Sequence, residues 1–113
     1  MIERLSAHDI THDLIPRLQA TERLVGNTLQ DRIEHCSNAT ERAGLEELKA
    51  EFELKLTMIR LNLEHLMKRY AQQMKAARQG GVNSSASLTL DAHEAVAVES
   101  ARTLYRRAQA LAT

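Results

Sequence analysis

The chain has 113 residues, and its 15 lysines and arginines equal its 15 aspartates and glutamates, so the net charge is zero. This balance argues against a general nucleic-acid binder, which needs excess basic charge, and against attraction to anionic membrane surfaces. One proline, no tryptophan and a single phenylalanine favour one helical domain over 1–113 with an aliphatic core.

The single cysteine, Cys36, excludes an intramolecular disulfide. The N-terminal residues are charged and lack the apolar core of a signal peptide, and the longest apolar runs are too short to span a bilayer. We therefore expect a protein of the reducing cytoplasm.

A first helix is predicted over about residues 14–36. Asp13 suits its N-cap, because Pro16 then falls in the first turn, where its missing N–H is not needed. Ser6 with Asp9 could cap a short helix instead, but Pro16 follows closely, so the structure of the preceding residues stays open. One side of the segment is apolar at helical spacing: Leu14, Leu18, Val25, Leu29, Ile33 and Cys36.

The segment Cys36–Thr40 is the expected joint to the second helix, with Asn38 as N-cap and Glu41 at the third helical position. A short joint folds two helices into an antiparallel αα-hairpin. One continuous helix is the alternative, since Gly44 costs only about 1 kcal/mol in a helix interior. We prefer the hairpin, because it gives both apolar stripes a partner within the chain.

The strongest pattern predicts a long central helix over about residues 39–78. Apolar residues recur at gaps of three or four and project within a sector about 80° wide. They form the core stripe: Leu45, Leu48, Phe52, Leu56, Ile59, Leu63, Leu66, Tyr70, Met74 and Ala77. A helix of this length, about 60 Å, does not fit inside a compact globule, so an elongated molecule is expected.

A second apolar face on the central helix is the main functional candidate. Leu54, Met58, Leu61 and His65 project roughly 180° away from the core stripe. The chain itself can cover one face, whereas the other needs a third helix, a second copy or a different protein. We therefore predict a partner-binding surface at these four residues.

A flexible linker is predicted over about residues 79–88, followed by a last helix over about residues 91–112. Leu88 and Leu90 could dock in an extended form, and Asp91 with Glu94 has the spacing of a capping box. The predicted fold is all-α: an elongated αα-hairpin, or coiled-coil-like helical bundle, with a third C-terminal helix whose seam is alanine-rich.

Catalytic and metal-binding patterns are sparse. His8 and His12 are spaced to share one metal ion on a helix, but they offer only two ligands. Cys36 and His35 lack the geometry of a nucleophile with its base, because adjacent helical side chains diverge. We predict no catalytic residue, no metal and no cofactor.

His65 provides an alternative. The run His65, Leu66, Met67, Lys68, Arg69 resembles the His-x-x-Lys-Gly pattern of phosphotransfer domains, which are helical bundles of similar size with an exposed histidine. Arginine replaces the glycine that gives the phosphoryl group room. The resemblance implies a phosphotransfer or small-ligand bundle centred on His65.

The expected function is non-enzymatic protein–protein interaction, as in a small cytoplasmic chaperone, adaptor or regulator. A protein partner or a second copy would cover the second apolar face, as a homodimer or a helical complex. Small bacterial chaperones and regulators of secretion systems are similar in size and helicity, an analogy at the level of fold. A structural oligomer that only self-associates is the other alternative.

Overall fold

The computed structural model describes residues 5–80 and 86–112, and the predicted all-α fold is confirmed there. The N-terminal helix (7–34) alternates α-helical and π-helical segments, with α-helix at Ala7–Asp9, Ile15–Arg23 and Gln30–Glu34 and π-helix at Ile10–Leu14 and Leu24–Leu29. It is followed by the central helix (Ala39–Arg69), a short helix (Ala71–Arg78) and the C-terminal helix (Ala92–Ala112).

The central helix runs antiparallel to the N-terminal helix. Arg60 Nη2 pairs with Glu22 Oε2 at 2.6 Å, and beyond the central helix the carbonyl oxygen of Ala77 lies 3.2 Å from Nε2 of His12. The side chain of Asn38 caps the central helix, as its position in the sequence indicates. Two separate helices therefore form an αα-hairpin rather than one continuous rod.

The C-terminal helix packs on both arms of the hairpin and is antiparallel to the central helix. Arg107 Nη1 donates to Glu51 Oε2 at 2.7 Å near one end, and Arg69 binds Glu94 near the other. The Cα radius of gyration is 16.3 Å and the extents are 53 × 26 × 23 Å. A compact domain of this size has a radius near 13 Å, so the molecule is elongated.

The core stripe of the central helix points toward its two neighbours. Leu45 and Leu48, in the first turns, and Tyr70, at the end, are half-buried. The remaining side chains of the stripe are buried: Phe52, Leu56, Ile59, Leu63 and Leu66 on the central helix, and Met74 and Ala77 on the short helix that follows. Burial of this stripe against both neighbours is the main apolar contribution to the fold.

The N-terminal helix begins earlier than predicted, and Asp13 as its N-cap was wrong. Ser6 is the N-cap: its Oγ accepts from the Asp9 N–H at 3.1 Å, and Asp9 Oδ2 accepts from the Ser6 N–H at 3.0 Å. Pro16 is tolerated because the first π turn directly precedes it and already interrupts the α-helical hydrogen-bond ladder.

The two π turns keep a four-residue spacing on one face of the N-terminal helix. In a regular α-helix, side chains four residues apart drift around the axis. A π turn contains more residues per turn than an α-helical turn, so side chains four residues apart come back toward the same side of the helix. The buried residues of this helix are Ala7, Ile10, Leu14, Leu18, Thr21, Val25, Leu29 and Ile33. The buried hydroxyl of Thr21 donates to the carbonyl oxygen of Arg17 at 2.9 Å.

The N-terminal helix also ends earlier than predicted, at Glu34. His35 leaves the helical conformation at φ −97° and ψ 4°, and its ring Nδ1 lies 2.8 Å from the carbonyl oxygen of Asp31. Cys36 is therefore half-buried in the joint between the helices. Its predicted place on the apolar side of the N-terminal helix was wrong.

The predicted helix over 39–78 is interrupted at Tyr70, where φ is −116° and ψ is 39°. The phenol oxygen of Tyr70 accepts from the N–H of Thr89 at 3.1 Å and lies 3.2 Å from its carbonyl oxygen. These contacts attach the break to a segment distant in sequence, a constraint that helical periodicity does not reveal.

The chain before the C-terminal helix docks in an extended form. Leu88 is buried, and its N–H donates to the carbonyl oxygen of Leu5 at 2.7 Å. Gly80 has a φ of 73°, as expected for a glycine after a helix. Of the predicted linker over 79–88, residues 81–85 lie outside the described ranges.

We expect Leu63→Ala to lower the free energy of unfolding by about 2–5 kcal/mol, because it leaves a cavity among buried side chains. Leu45→Ala, at a half-buried position of the same stripe, is the control and should cost clearly less. Urea denaturation followed by circular dichroism measures both. Equal losses would contradict this packing.

Candidate functional site

The predicted partner-binding face is solvent-exposed at its three apolar positions. Leu54, Met58 and Leu61 are 64%, 57% and 62% exposed, and Val96 on the C-terminal helix is 64% exposed. Leu54 and Leu61 lie four residues before and three residues after Met58, so all three share one side of the central helix. We name Leu54, Met58, Leu61 and Val96 the apolar face.

A groove between the central and C-terminal helices continues the apolar face. Its volume is about 370 Å³, and Met58 and Val96 both line it. The buried side chains of Ile59, Ala97 and Leu104 also line it. An apolar groove between two exposed hydrophobic side chains can accept side chains from an amphipathic helix.

The sequence pattern did not indicate Val96. The alanine-rich seam, which includes Ala97, marks the packed side of the C-terminal helix, and a single valine on the other side forms no stripe of its own. Its position becomes informative only when the structure sets it beside Met58. Single exposed hydrophobic side chains are ordinary on a protein surface, whereas a group of them is a candidate contact surface.

His65 is bound to the C-terminal helix, unlike the three apolar residues of the predicted face. Its side chain is 59% exposed, and Nδ1 lies 2.8 Å from Glu94 Oε2 and 3.8 Å from Asp91 Oδ2. His65 therefore sits at the edge of the apolar face, where it joins two helices of the same chain.

Glu94 is the centre of this polar contact, and its side chain is completely buried. Its Oε1 accepts from the Asp91 N–H at 2.8 Å, while the Glu94 N–H donates to Asp91 Oδ1 at 2.7 Å, which is the predicted capping box. Arg69 Nη1 also donates to Oε1 of Glu94. The residue therefore caps one helix and binds the other.

The pKa of the Glu94 carboxyl is set by opposing effects. Burial raises this pKa, but the hydrogen bond from Asp91 and those from Arg69 and His65 lower it by more, so the net pKa lies below the ordinary value. The same ion pair raises the pKa of the Arg69 guanidinium. At neutral pH this is a charged contact that holds the start of the C-terminal helix in place.

The donor atoms of His65, Asp91 and Glu94 lie within 4.8 Å of one another, which is close enough to share a metal ion. One oxygen of Glu94 is already bound by Arg69 and the Asp91 N–H. The guanidinium also places a positive charge beside the position a cation would take. The arrangement therefore fits an ion-pair cluster better than a metal centre.

The histidines near the N-terminus contact each other, and one of them contacts the short helix. The rings of His8 and His12 lie 4.5 Å apart between centroids, and Nε2 of His12 lies 3.2 Å from the carbonyl oxygen of Ala77. This contact joins the start of the N-terminal helix to the short helix.

Comparison with known proteins gives no match: no family model, no curated protein and no solved structure matches this chain. Within residues 5–80 and 86–112, no helix combines the length and the apolar character needed to cross a membrane.

We expect Glu94→Gln to destabilise the fold by about 1–3 kcal/mol at pH 7, because it removes the charge that Arg69 and His65 bind in a buried position. Glu99→Gln, at an exposed position of the same helix, is the matched control and should change stability by less than about 0.5 kcal/mol. Urea denaturation measures both variants. An unchanged free energy of unfolding in Glu94→Gln would show that the charged contact is not stabilising.

The contribution of Glu94 should also depend on pH. Its folded pKa is depressed, so its stabilising effect is complete above the ordinary carboxyl pKa of 4.5 and is lost as the pH falls through the folded value. The gap in unfolding free energy between the wild type and Glu94→Gln should therefore shrink from pH 7 toward pH 3. A gap that widens on acidification would contradict the direction of this shift.

Proposed function

We propose that this chain is a non-enzymatic helical interaction protein, which binds an amphipathic helix through the apolar face and the adjoining groove. Such a protein would act as a small chaperone, adaptor or regulator. We place it in the reducing cytoplasm, where Cys36, which has no disulfide partner, would remain a free thiol.

The observation that carries the proposal is the grouping of exposed hydrophobic side chains. In the part of the chain that the structure describes, the large hydrophobic residues classed as exposed are Leu54, Met58, Leu61 and Val96. Random exposure would scatter them over all helices, whereas these belong to two adjacent helices, and Met58 and Val96 line the groove between those helices. Keeping such a surface in water is unfavourable, and a partner that covers it would gain that free energy.

The composition of the groove suits a helix rather than a small polar ligand. Lys55 and Arg107 line it as basic residues and Glu99 as an acidic one, around the apolar centre formed with Met58 and Val96. An apolar centre with charged residues around it is the usual organisation of a protein–protein contact. Methionine adds an adaptable side chain that can repack against different partners.

The phosphotransfer alternative has weaker support from the geometry. The ring of His65 faces the carboxylates of Glu94 and Asp91, and their negative charge opposes the approach of a phosphoryl group. Arg69, which stands where the phosphotransfer pattern has glycine, is bound to Glu94. We therefore propose a positioning role for His65 at the edge of the contact surface.

Site-specific photo-crosslinking in the cells that make this chain tests the proposal. A benzophenone amino acid in place of Met58 should give light-dependent adducts. Met58 lies between Leu54 and Leu61 on the central helix and lines the groove together with Val96. The same amino acid in place of Gln19, exposed on the N-terminal helix, is the control and should give few. Equal adduct yields at both positions, or none at Met58, would contradict a contact surface here.

Leu61→Glu in the Met58-labelled chain should then reduce the adduct yield by roughly tenfold or more, because a charge on the apolar face must be desolvated on binding. Circular dichroism should show the helicity of the unmodified chain, since Leu61 is exposed. Unfolding of the variant would instead mean that Leu61 belongs to the core.

A further inference from the structure

We infer that the partner on the apolar face is a second copy of this chain, whose central helix packs antiparallel to the first about a two-fold axis near Met58. The inference rests on the proposed function, because it requires that this face binds a helix. It adds the identity, the direction and the register of that helix.

The register follows from the spacing of the apolar side chains. Leu54 and Leu61 lie at equal distances along the helix on either side of the point between Thr57 and Met58. A two-fold axis through this point places each Leu54 against Leu61 of the other copy, with the two Met58 side chains close to the axis. A symmetric contact of this kind needs one self-complementary patch on both chains, and this face is such a patch.

The charges at the ends of the same side favour the antiparallel direction. Glu47 and Lys68 lie on the side of the apolar face at helical spacing, and they too are at equal distances from the point between Thr57 and Met58. Antiparallel pairing therefore opposes Glu47 to Lys68 at both ends of the contact. Parallel pairing would oppose like charges at both ends, so the charges discriminate against it.

Both charged residues are available for such a contact. Glu47 and Lys68 are exposed, and neither has an ion-pair partner within residues 5–80 and 86–112. Glu51, in contrast, is already paired with Lys55 and Arg107. The antiparallel register brings Glu47 and Lys68 together without breaking an ion pair within the chain.

The small side chain of Ala50 completes the register. Ala50 is exposed on the same side of the helix, and the symmetry that pairs Leu54 with Leu61 opposes Ala50 to His65. His65 is held by Glu94 in its own chain, so its ring needs space on the partner helix. Alanine provides that space.

Disulfide crosslinking tests the direction of pairing. In a Cys36→Ser background, chains with Leu54→Cys and chains with Leu61→Cys are purified, mixed and oxidised. Antiparallel pairing predicts that the mixed disulfide forms at least about fivefold more than either homodisulfide, because only the mixed pair brings the two cysteines face to face. Predominant homodisulfides would mean a parallel dimer and would overturn the inference.

Sedimentation equilibrium tests the charges. The wild type should dimerise at micromolar concentration, and Glu47→Lys or Lys68→Glu should raise the Kd by about tenfold, because each reversal creates two like-charge contacts. The double reversal should recover the wild-type Kd to within about threefold. Glu46→Lys, next to Glu47 but on another side of the helix, is the control and should leave the Kd unchanged.

Failure of this inference can be distinguished from failure of the proposed function. A monomeric wild type at micromolar concentration, with Met58 photo-adducts to a different protein, would overturn the self-pairing and leave the contact surface standing. A monomer without Met58 adducts would overturn both. Unchanged Kd values on charge reversal would reject the register.

Discussion

The central helix carries apolar side chains on two opposite faces, and the rest of the structure follows from this. The N-terminal helix and the C-terminal helix both pack on the core stripe, which includes Phe52 and Leu66, and bury it. Two helices on the same side of a rod cannot reach the other side. Leu54, Met58 and Leu61 therefore stay exposed in the folded chain. The exposure follows from the number of helices, because both neighbours of the central helix lie on its core side and no further helix of the described chain covers the opposite side.

Long-range polar contacts join the helices at one end of the bundle. Arg69 and His65 hold Glu94 at the start of the C-terminal helix, and His12 meets the carbonyl of Ala77 at the start of the N-terminal helix. Such contacts place helix ends relative to one another, which a uniform apolar stripe does not do. The Glu94 cluster lies beside His65, so it also fixes one edge of the apolar face.

Local signals in the sequence were sufficient for the starts of the central and C-terminal helices and for most of the core. Asn38 and Asp91 cap the helices where their spacing with Glu41 and Glu94 indicates, because a cap depends on residues three positions away. The core stripe shows the same helical period in the sequence and in the structure. These features need no information about the other helices.

The features that were missed depend on residues distant in sequence or on a deviation from the regular helix. Periodicity assumes a uniform turn, so it gave no sign of the π turns that let Pro16 lie inside the N-terminal helix. The break at Tyr70 depends on Thr89, and the burial of Glu94 depends on Arg69. Val96 gains its meaning from Met58 on another helix. For Tyr70, Glu94 and Val96, the missing information is a tertiary contact.

The charge order of the central helix has a consequence beyond its own stability. Acidic residues early and basic residues late favour the helix dipole, and the same order makes any two such helices complementary when they are antiparallel. Charge order alone therefore selects a direction but no register. The register comes from a second coincidence: the pair Leu54 and Leu61 and the pair Glu47 and Lys68 share one midpoint. In the proposed dimer, a one-turn slip would separate Leu54 from Leu61 and Glu47 from Lys68 at the same time, so both pairs favour the same alignment.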